Sequence, residues 1–117
     1  MSADSDCLFC KIIGKKIPAK IVHEDEHSLV FHDIDPKAPV HLLIVPKKHI
    51  TDIQSINMAD RELIGHLFFA AKTVASKSGF DRNGYRIVIN NGRDAGQAVF
   101  HIHLHLLSGR RFSWPPG

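Results

Sequence analysis

The run Phe100-His101-Ile102-His103-Leu104-His105-Leu106-Leu107 constrains this chain more than any other stretch. Apolar and imidazole side chains alternate along it. A period of two belongs to a strand, whose successive side chains leave opposite faces. Phe100, Ile102, Leu104 and Leu106 are expected to pack inward, with His101, His103 and His105 lined up on the other face. Neighbouring histidines on that face sit about 7 Å apart at Cα, from the rise per residue. That spacing suits a shared ligand or a relay better than direct ring contact. A solvent face with no special task would draw on Thr, Lys, Glu and Ser as well, so an all-histidine face points to chemistry. A metal trio is one reading, because imidazole is a common zinc ligand. Catalysis at phosphorus is the favoured one. Neutral imidazole is a good nucleophile near pH 7, its phosphorylated form hydrolyses readily, and flanking imidazoles can donate protons. The loop Asn91-Gly92-Arg93-Asp94-Ala95-Gly96 runs directly into the histidines and can offer N–H groups to phosphate oxygens.

The rest of the chain supplies a scaffold for such a strand. Residues 7–13 read as a short helix with Leu8, Phe9, Ile12 and Ile13 on one side and Gly14 as its stop. Strands are expected at 20–24, 28–33, 41–45, 85–90 and 100–108, punctuated by Pro36, Pro39 and Pro46. One long helix starts near Asn57 or Asp60 and runs to about Ser78: Leu63, Leu67, Ala71 and Val74 recur at helical spacing, Ile64 and Phe68 widen the stripe, and Gly79 ends it. Short strands with tight loops and one long helix predict an α+β fold with an antiparallel sheet. The helix covers one sheet face, leaving the other wet, functional or buried by a partner. With 117 residues, one domain spanning 1–117 is expected, with residues 1–6 flexible and 109–117 a tail.

Composition excludes several classes. No apolar run approaches the roughly 20 residues that span a bilayer. The polar, acidic start Met1-Ser2-Ala3-Asp4-Ser5-Asp6 is unlike a signal peptide. The expectation is a cytoplasmic protein without a membrane partner, nuclear as well in a eukaryotic cell. The net charge of +3 is spread over separated pairs (Lys15-Lys16, Lys47-Lys48, Arg110-Arg111). A small phosphorylated ligand is compatible with that charge; nucleic acid, which needs a clustered basic face, is not expected.

The segment His101-Ile102-His103-Leu104-His105-Leu106-Leu107 resembles the signature of the histidine triad (HIT) family, three histidines alternating with hydrophobic residues. The resemblance covers nearly the whole chain: Lys11-Ile12-Ile13, Ile17-Pro18-Ala19-Lys20, Phe31-His32-Asp33-Ile34, Pro36, Ala38-Pro39, His41, Pro46-Lys47-Lys48-His49, Gly84-Tyr85-Arg86, Asn90 and Gly96-Gln97. The ending Trp114-Pro115-Pro116-Gly117 is similar to that of the family's nucleotide-binding branch. The resemblance implies a HIT-like fold of about five antiparallel strands with one long and one short helix. It also implies a homodimer whose sheets join, with the tail 109–117 at the interface. It makes His103 the nucleophile of a nucleotidyl-histidine intermediate, His105 the group that contacts phosphate and helps the leaving group, and His101 and His41 groups that orient and polarise the site. Asp33, with Ile34 beside it, is implied to hold ribose hydroxyls; Leu8, Phe9, Ile12, Ile17 and Phe31 to wall a purine; Asn90, Gly96, Gln97 and Ala98 to surround phosphate. Ala98 departs from the serine that many relatives carry. The missing hydroxyl is worth roughly 1.5–3 kcal/mol if it bonds a charged group, which is about tenfold or more in rate.

The implied reaction is hydrolysis of purine nucleoside phosphoramidates such as AMP-lysine or AMP-NH2, with no cofactor needed for catalysis. Dinucleoside polyphosphate hydrolysis is an alternative within the family. A purine-nucleotide-binding regulator or scaffold with incidental turnover is an alternative outside enzymology. Cys7 and Cys10 form a CxxC, and by itself it leaves zinc binding, buried free thiols or a redox pair open. Some HIT relatives bind zinc through such a pair plus two histidines, which here implicates His49 and His101 in a structural site.

Overall fold

The computed structural model describes residues 6–117. The flexibility expected of the N-terminus therefore concerns, for residues 1–5, positions outside the described ones. Seven regular elements follow one another: α1 (Leu8–Ile13), β1 (Ile21–Glu24), β2 (Ser28–His32), β3 (Val40–Pro46), α2 (Arg61–Ser78), β4 (Arg86–Val88) and β5 (Leu104–Ser108). The strands form one antiparallel sheet of five in the order β1-β2-β3-β5-β4. This is the α+β architecture expected.

Alternation along β2, β3 and β5 divides the interior in two. Val30, Leu42, Ile44, Leu104 and Leu106 meet Leu67, Ala70, Ala71, Val74 and Ala75 of α2. Residues of opposite parity, Leu29, Phe31, Leu43 and Val45, meet Cys7, Phe9, Cys10 and Ile12 of α1. The short helix thus covers the face that the long one leaves open, but its six residues reach over only part of it. The uncovered remainder is where a cavity forms. At its start α2 is prepared by a 3-10 turn, Met58–Asp60, with a capping box between Asn57 and Asp60. At its end Gly79 takes the left-handed conformation with φ 80°.

Sequence alternation overstated β5. It begins at Leu104, so His101 and His103 precede the strand rather than lie within it. Residues before Leu104 turn to the segment after β3 instead: the Ile102 N–H donates to the Ile50 carbonyl at 2.7 Å. Ile102, Leu104 and Leu106 are buried as expected, but Phe100, expected inside, is 48% exposed because it lies beyond the ladder. β4 is likewise shorter than 85–90, pairing with β5 only from Arg86 to Val88.

Three histidines serve the scaffold. The rings of His23 and His66 donate from Nε2 to the Asp25 carboxylate at 2.9–3.0 Å, tying the β1–β2 turn to α2, and His27 packs edge-on against His66.

Candidate active site

A cavity of about 920 Å³ opens beside α1. Leu8, Phe9, Ile12, Ile17 and Phe31 give it an apolar wall; Asp33, Ile34, Gly96, Ala98, His103 and His105 line it as well. That volume lies within the range of small-molecule sites, which pair apolar walls with a few placed polar groups. Pro18, Ala19, Lys20, His32, Leu43 and Val99 also line it and were not among the residues expected to form the site. Of these, Pro18, His32 and Val99 adjoin residues that were.

Two backbone groups decide what the histidines present. His103 Nδ1 lies 2.8 Å from the His101 carbonyl, which can only accept, so Nδ1 carries the proton and Nε2 the lone pair. His41 is fixed the opposite way. The Lys37 N–H donates to its Nδ1 at 3.0 Å, leaving the ring proton on Nε2. His41 Nε2 lies 2.9 Å from His105 Nδ1, and it donates there. His105 therefore accepts at Nδ1 and bears its own proton on Nε2. Asp33 Oδ2 is 3.4 Å from His41 Nε2, and its Oδ1 accepts from the Asp35 N–H.

Burial keeps these rings neutral. It pushes His105 down to about 4, helped by the neighbouring His103 and His41 and opposed by Asp33. His103 is lowered first by burial, against the pull of the His101 carbonyl and Asp33. His41 is lowered for the same leading reason. The His103 and His105 rings stand 4.9 Å apart between centroids, so the two meet in the edge-on contact that their strand spacing did not suggest.

His101 does not face the cavity. It is fully buried, and its ring stands with Cys7, Cys10 and His49 in a group whose ligand atoms all lie within 4.8 Å of one another. His101 Nδ1 is 3.3 Å from Cys7 Sγ, 3.5 Å from Cys10 Sγ and 3.1 Å from His49 Nδ1, and Cys10 Sγ is 3.4 Å from His49 Nδ1. A tetrahedron built on zinc bonds of about 2.0–2.3 Å has ligand–ligand edges of roughly 3.3–3.7 Å, so the donor set fits that metal. The tautomer fits too. His101 Nε2 donates to the Pro46 carbonyl at 2.8 Å, which leaves the Nδ1 lone pair turned toward the sulfurs.

Asp33, His41 and His105 form a second group of compact donors. Here the Lys37 N–H opposes a metal, since His41 would have to shed its Nε2 proton while Nδ1 is already accepting.

Asn90 and Gln97 are not among the cavity's lining residues. Gln97 is buried and braces the loop: its Oε1 accepts from the Gly92 N–H at 2.8 Å, and its Nε2 donates to Thr51 and Val99 carbonyls. The Lys37 N–H left no trace in the sequence, because every residue except proline supplies one.

The HIT domain model matches residues 14–112. An uncharacterized HIT-like protein of Synechocystis is 51% identical over 112 residues, covering 96% of this chain and 97% of that protein. A protein of Zea mays named a 14 kDa zinc-binding protein is 47% identical, covering 97% of this chain and 90% of its own. The crystal structure of a HIT family hydrolase from Legionella pneumophila superposes with a TM-score of 0.93 at 52% identity, covering 96% of this chain and all of that one. With its triad, its sheet and this breadth of similarity, the chain belongs to the HIT domain family.

Proposed function

We propose that this chain hydrolyses purine nucleoside phosphoramidates through a nucleotidyl adduct on His103. One observation carries the reading: His103 and His105 line the same cavity with opposite tautomers, a lone pair on one and an N–H on the other. That is what an in-line displacement with a poor amine leaving group requires. His103 Nε2 forms the new P–N bond as the substrate's P–N bond breaks. His105 gives its Nε2 proton to the departing nitrogen as it takes the His41 Nε2 proton at Nδ1, and His41 regains one from solvent by way of Asp33, whose Oδ2 is 3.4 Å away, so neither ring is left anionic. The positive charge lies on the adduct ring of His103. Water then attacks phosphorus and loses its proton to solvent, and His103 leaves as the neutral ring. Asp33 is proposed to hold the ribose, the α1 wall the base, and Gly96 and Ala98 the phosphate. Gln97 acts by bracing the loop. The name of the Legionella neighbour as a hydrolase supports the reaction class.

We propose further that Cys7, Cys10, His49 and His101 hold a structural zinc ion, a reading supported by the donor geometry and by the name of the maize relative. A homodimer is proposed on the exposed Phe68 and Phe69 of α2, the unpaired edge of β4 and the exposed Trp114 of the tail. A monomer by light scattering at micromolar concentration removes that last proposal.

The deciding experiment incubates the protein with an adenosine phosphoramidate, quenches in base and maps the modified residue. Adenylate is expected on His103 and absent from His103→Ala, which still binds AMP. An adduct elsewhere, or undiminished turnover by His103→Ala, overturns the mechanism. Faster turnover of diadenosine triphosphate than of the phosphoramidate moves the assignment to polyphosphate hydrolysis.

A further inference from the structure

The sulfur–imidazole cluster and the nucleophile are not independent parts of the molecule. Residue 101 belongs to both: its ring completes the cluster, while its carbonyl accepts the Nδ1–H of His103. A second link runs through α1. Phe9 stands between Cys7 and Cys10 in sequence, lines the cavity, and packs edge-on against both His101 and His103, with centroids 5.9 and 5.0 Å apart. Cys7 Sγ in turn accepts from the Cys10 N–H at 3.3 Å, so the sulfur also fixes the first turn of α1. The Pro46 carbonyl holds the far nitrogen of His101. The His101 ring is thus gripped on both sides, and its peptide has little freedom to turn.

We infer that Cys7, Cys10 and His49 are positioning residues for His103, acting through the His101 carbonyl and the Phe9 ring. The inference rests on the proposed adduct mechanism and on the cluster's fit to zinc. When the cluster is metal-bound, the His101 peptide and α1 are locked, and His103 is held with Nδ1 protonated and Nε2 toward the cavity. When the cluster is empty, the ligand side chains relax, the carbonyl turns, and His103 loses its single tautomer. Nucleotide turnover then depends on metal supply although no metal touches the substrate. The effect falls on the attacking step, since most of the base wall and Asp33 lie outside the linkage.

The test uses the full-length protein purified with its metal, the same protein stripped by a chelator and reloaded with zinc or cadmium, and the variants Cys10→Ser and His49→Cys. Three Cys and one His still form a zinc set, so His49→Cys is the rescue variant. Three quantities are measured: metal per chain, the long-range 1H–15N pattern of the His103 ring, and adduct formation against AMP affinity. The loaded protein and His49→Cys are expected to show one Nδ1–H tautomer for His103. The stripped protein and Cys10→Ser are expected to show exchange between tautomers and adduct formation slower by about tenfold or more, with AMP affinity within about threefold; reloading the stripped protein reverses the first two effects. A stripped, folded protein whose His103 pattern and adduct rate equal those of the loaded one overturns the inference, as does a purified protein that neither contains nor takes up metal. Failure of the mechanism itself looks different: no adduct forms in any state, while the tautomer pattern still reports whether the coupling exists.

Discussion

The two histidine groups of this chain are built from the same side chain and differ in one backbone atom each. At the buried group a carbonyl, that of Pro46, accepts a hydrogen bond from His101 Nε2–H and leaves the Nδ1 lone pair facing two sulfurs. At the cavity an amide, that of Lys37, donates a hydrogen bond to His41 Nδ1 and so keeps the ring's own proton on Nε2, facing His105. An accepting backbone leaves the far nitrogen's lone pair free to bond, at His101 and at His103 alike; a donating backbone sends the ring's proton forward, as at His41. Imidazole has no preference of its own between these tasks, since either nitrogen can carry the proton. The lesson is that a histidine's role in such a site is set by the polarity of the peptide group behind it.

The sharpest way to break this contrast is to remove one imidazole from each group. His41→Ala is expected to lower kcat/KM for a phosphoramidate by about 10²–10⁴-fold, the usual worth of a proton-transfer group, with metal content unchanged. His49→Ala is expected to abolish stoichiometric zinc and to lower the thermal midpoint by roughly 5 °C or more through loss of bound-metal stabilisation. Metal analysis and calorimetry on both variants check the separation. If His41→Ala loses metal, the two groups are not distinct.

A subtler variant acts on the amide itself. Lys37→Pro deletes the N–H that fixes His41, whereas Lys37→Ala keeps it. With the N–H gone, His41 can move its proton to Nδ1 and offer Nε2 beside Asp33 and His105. Lys37→Pro is therefore expected to turn over about tenfold more slowly and to become inhibited by micromolar free zinc, while Lys37→Ala matches the parent. Far-UV circular dichroism and AMP binding establish that the fold survives. Equal zinc sensitivity in all three proteins would show that the amide does not decide the donor character of this group.

These contrasts mark where the sequence is readable and where it stops. Strand alternation put Leu104, Leu106 and His105 on their correct faces, and α2 was legible from Leu67, Ala71, Val74 and Gly79, although Phe68, expected in the same stripe, is exposed. The HIT resemblance brought Leu8, Phe9, Ile12, Ile17, Phe31 and Asp33 together, and these do line one cavity. Alternation failed at Phe100 and His101 because period two persists wherever a chain is extended, whether or not it is paired. Nothing in the pattern says that residues 100–103 leave the sheet to bond Ile50 and Pro46. The one amide and two carbonyls that fix the tautomers are invisible for a stronger reason. They are main-chain atoms common to almost every residue, and only their position carries information.

The smallest expected effect concerns acid, and it belongs to the relay alone. His105 lines a cavity whose other titratable liners are His103, Asp33, Lys20 and His32, and His41 bonds it from behind. Burial above all, then His103 and His41, hold it at about 4 in the folded protein, against Asp33, while the unfolded chain protonates near the ordinary 6.5. Between those values the unfolded state binds more protons, so unfolding free energy rises with pH across the window and is lost as pH falls from 6.5 toward 4. One such group contributes at most about 1.4 kcal/mol per pH unit. His105→Gln has no proton to bind in either state, so the difference between parent and variant in urea-unfolding free energy isolates this slope from every other group. The parent is expected to lose stability relative to His105→Gln on acidification through the window and to run parallel to it above pH 7. Parallel curves throughout would mean that His105 is as readily charged in the folded site as in water, and a ring that is charged before substrate arrives cannot serve as the neutral middle member of a relay begun at the Lys37 amide.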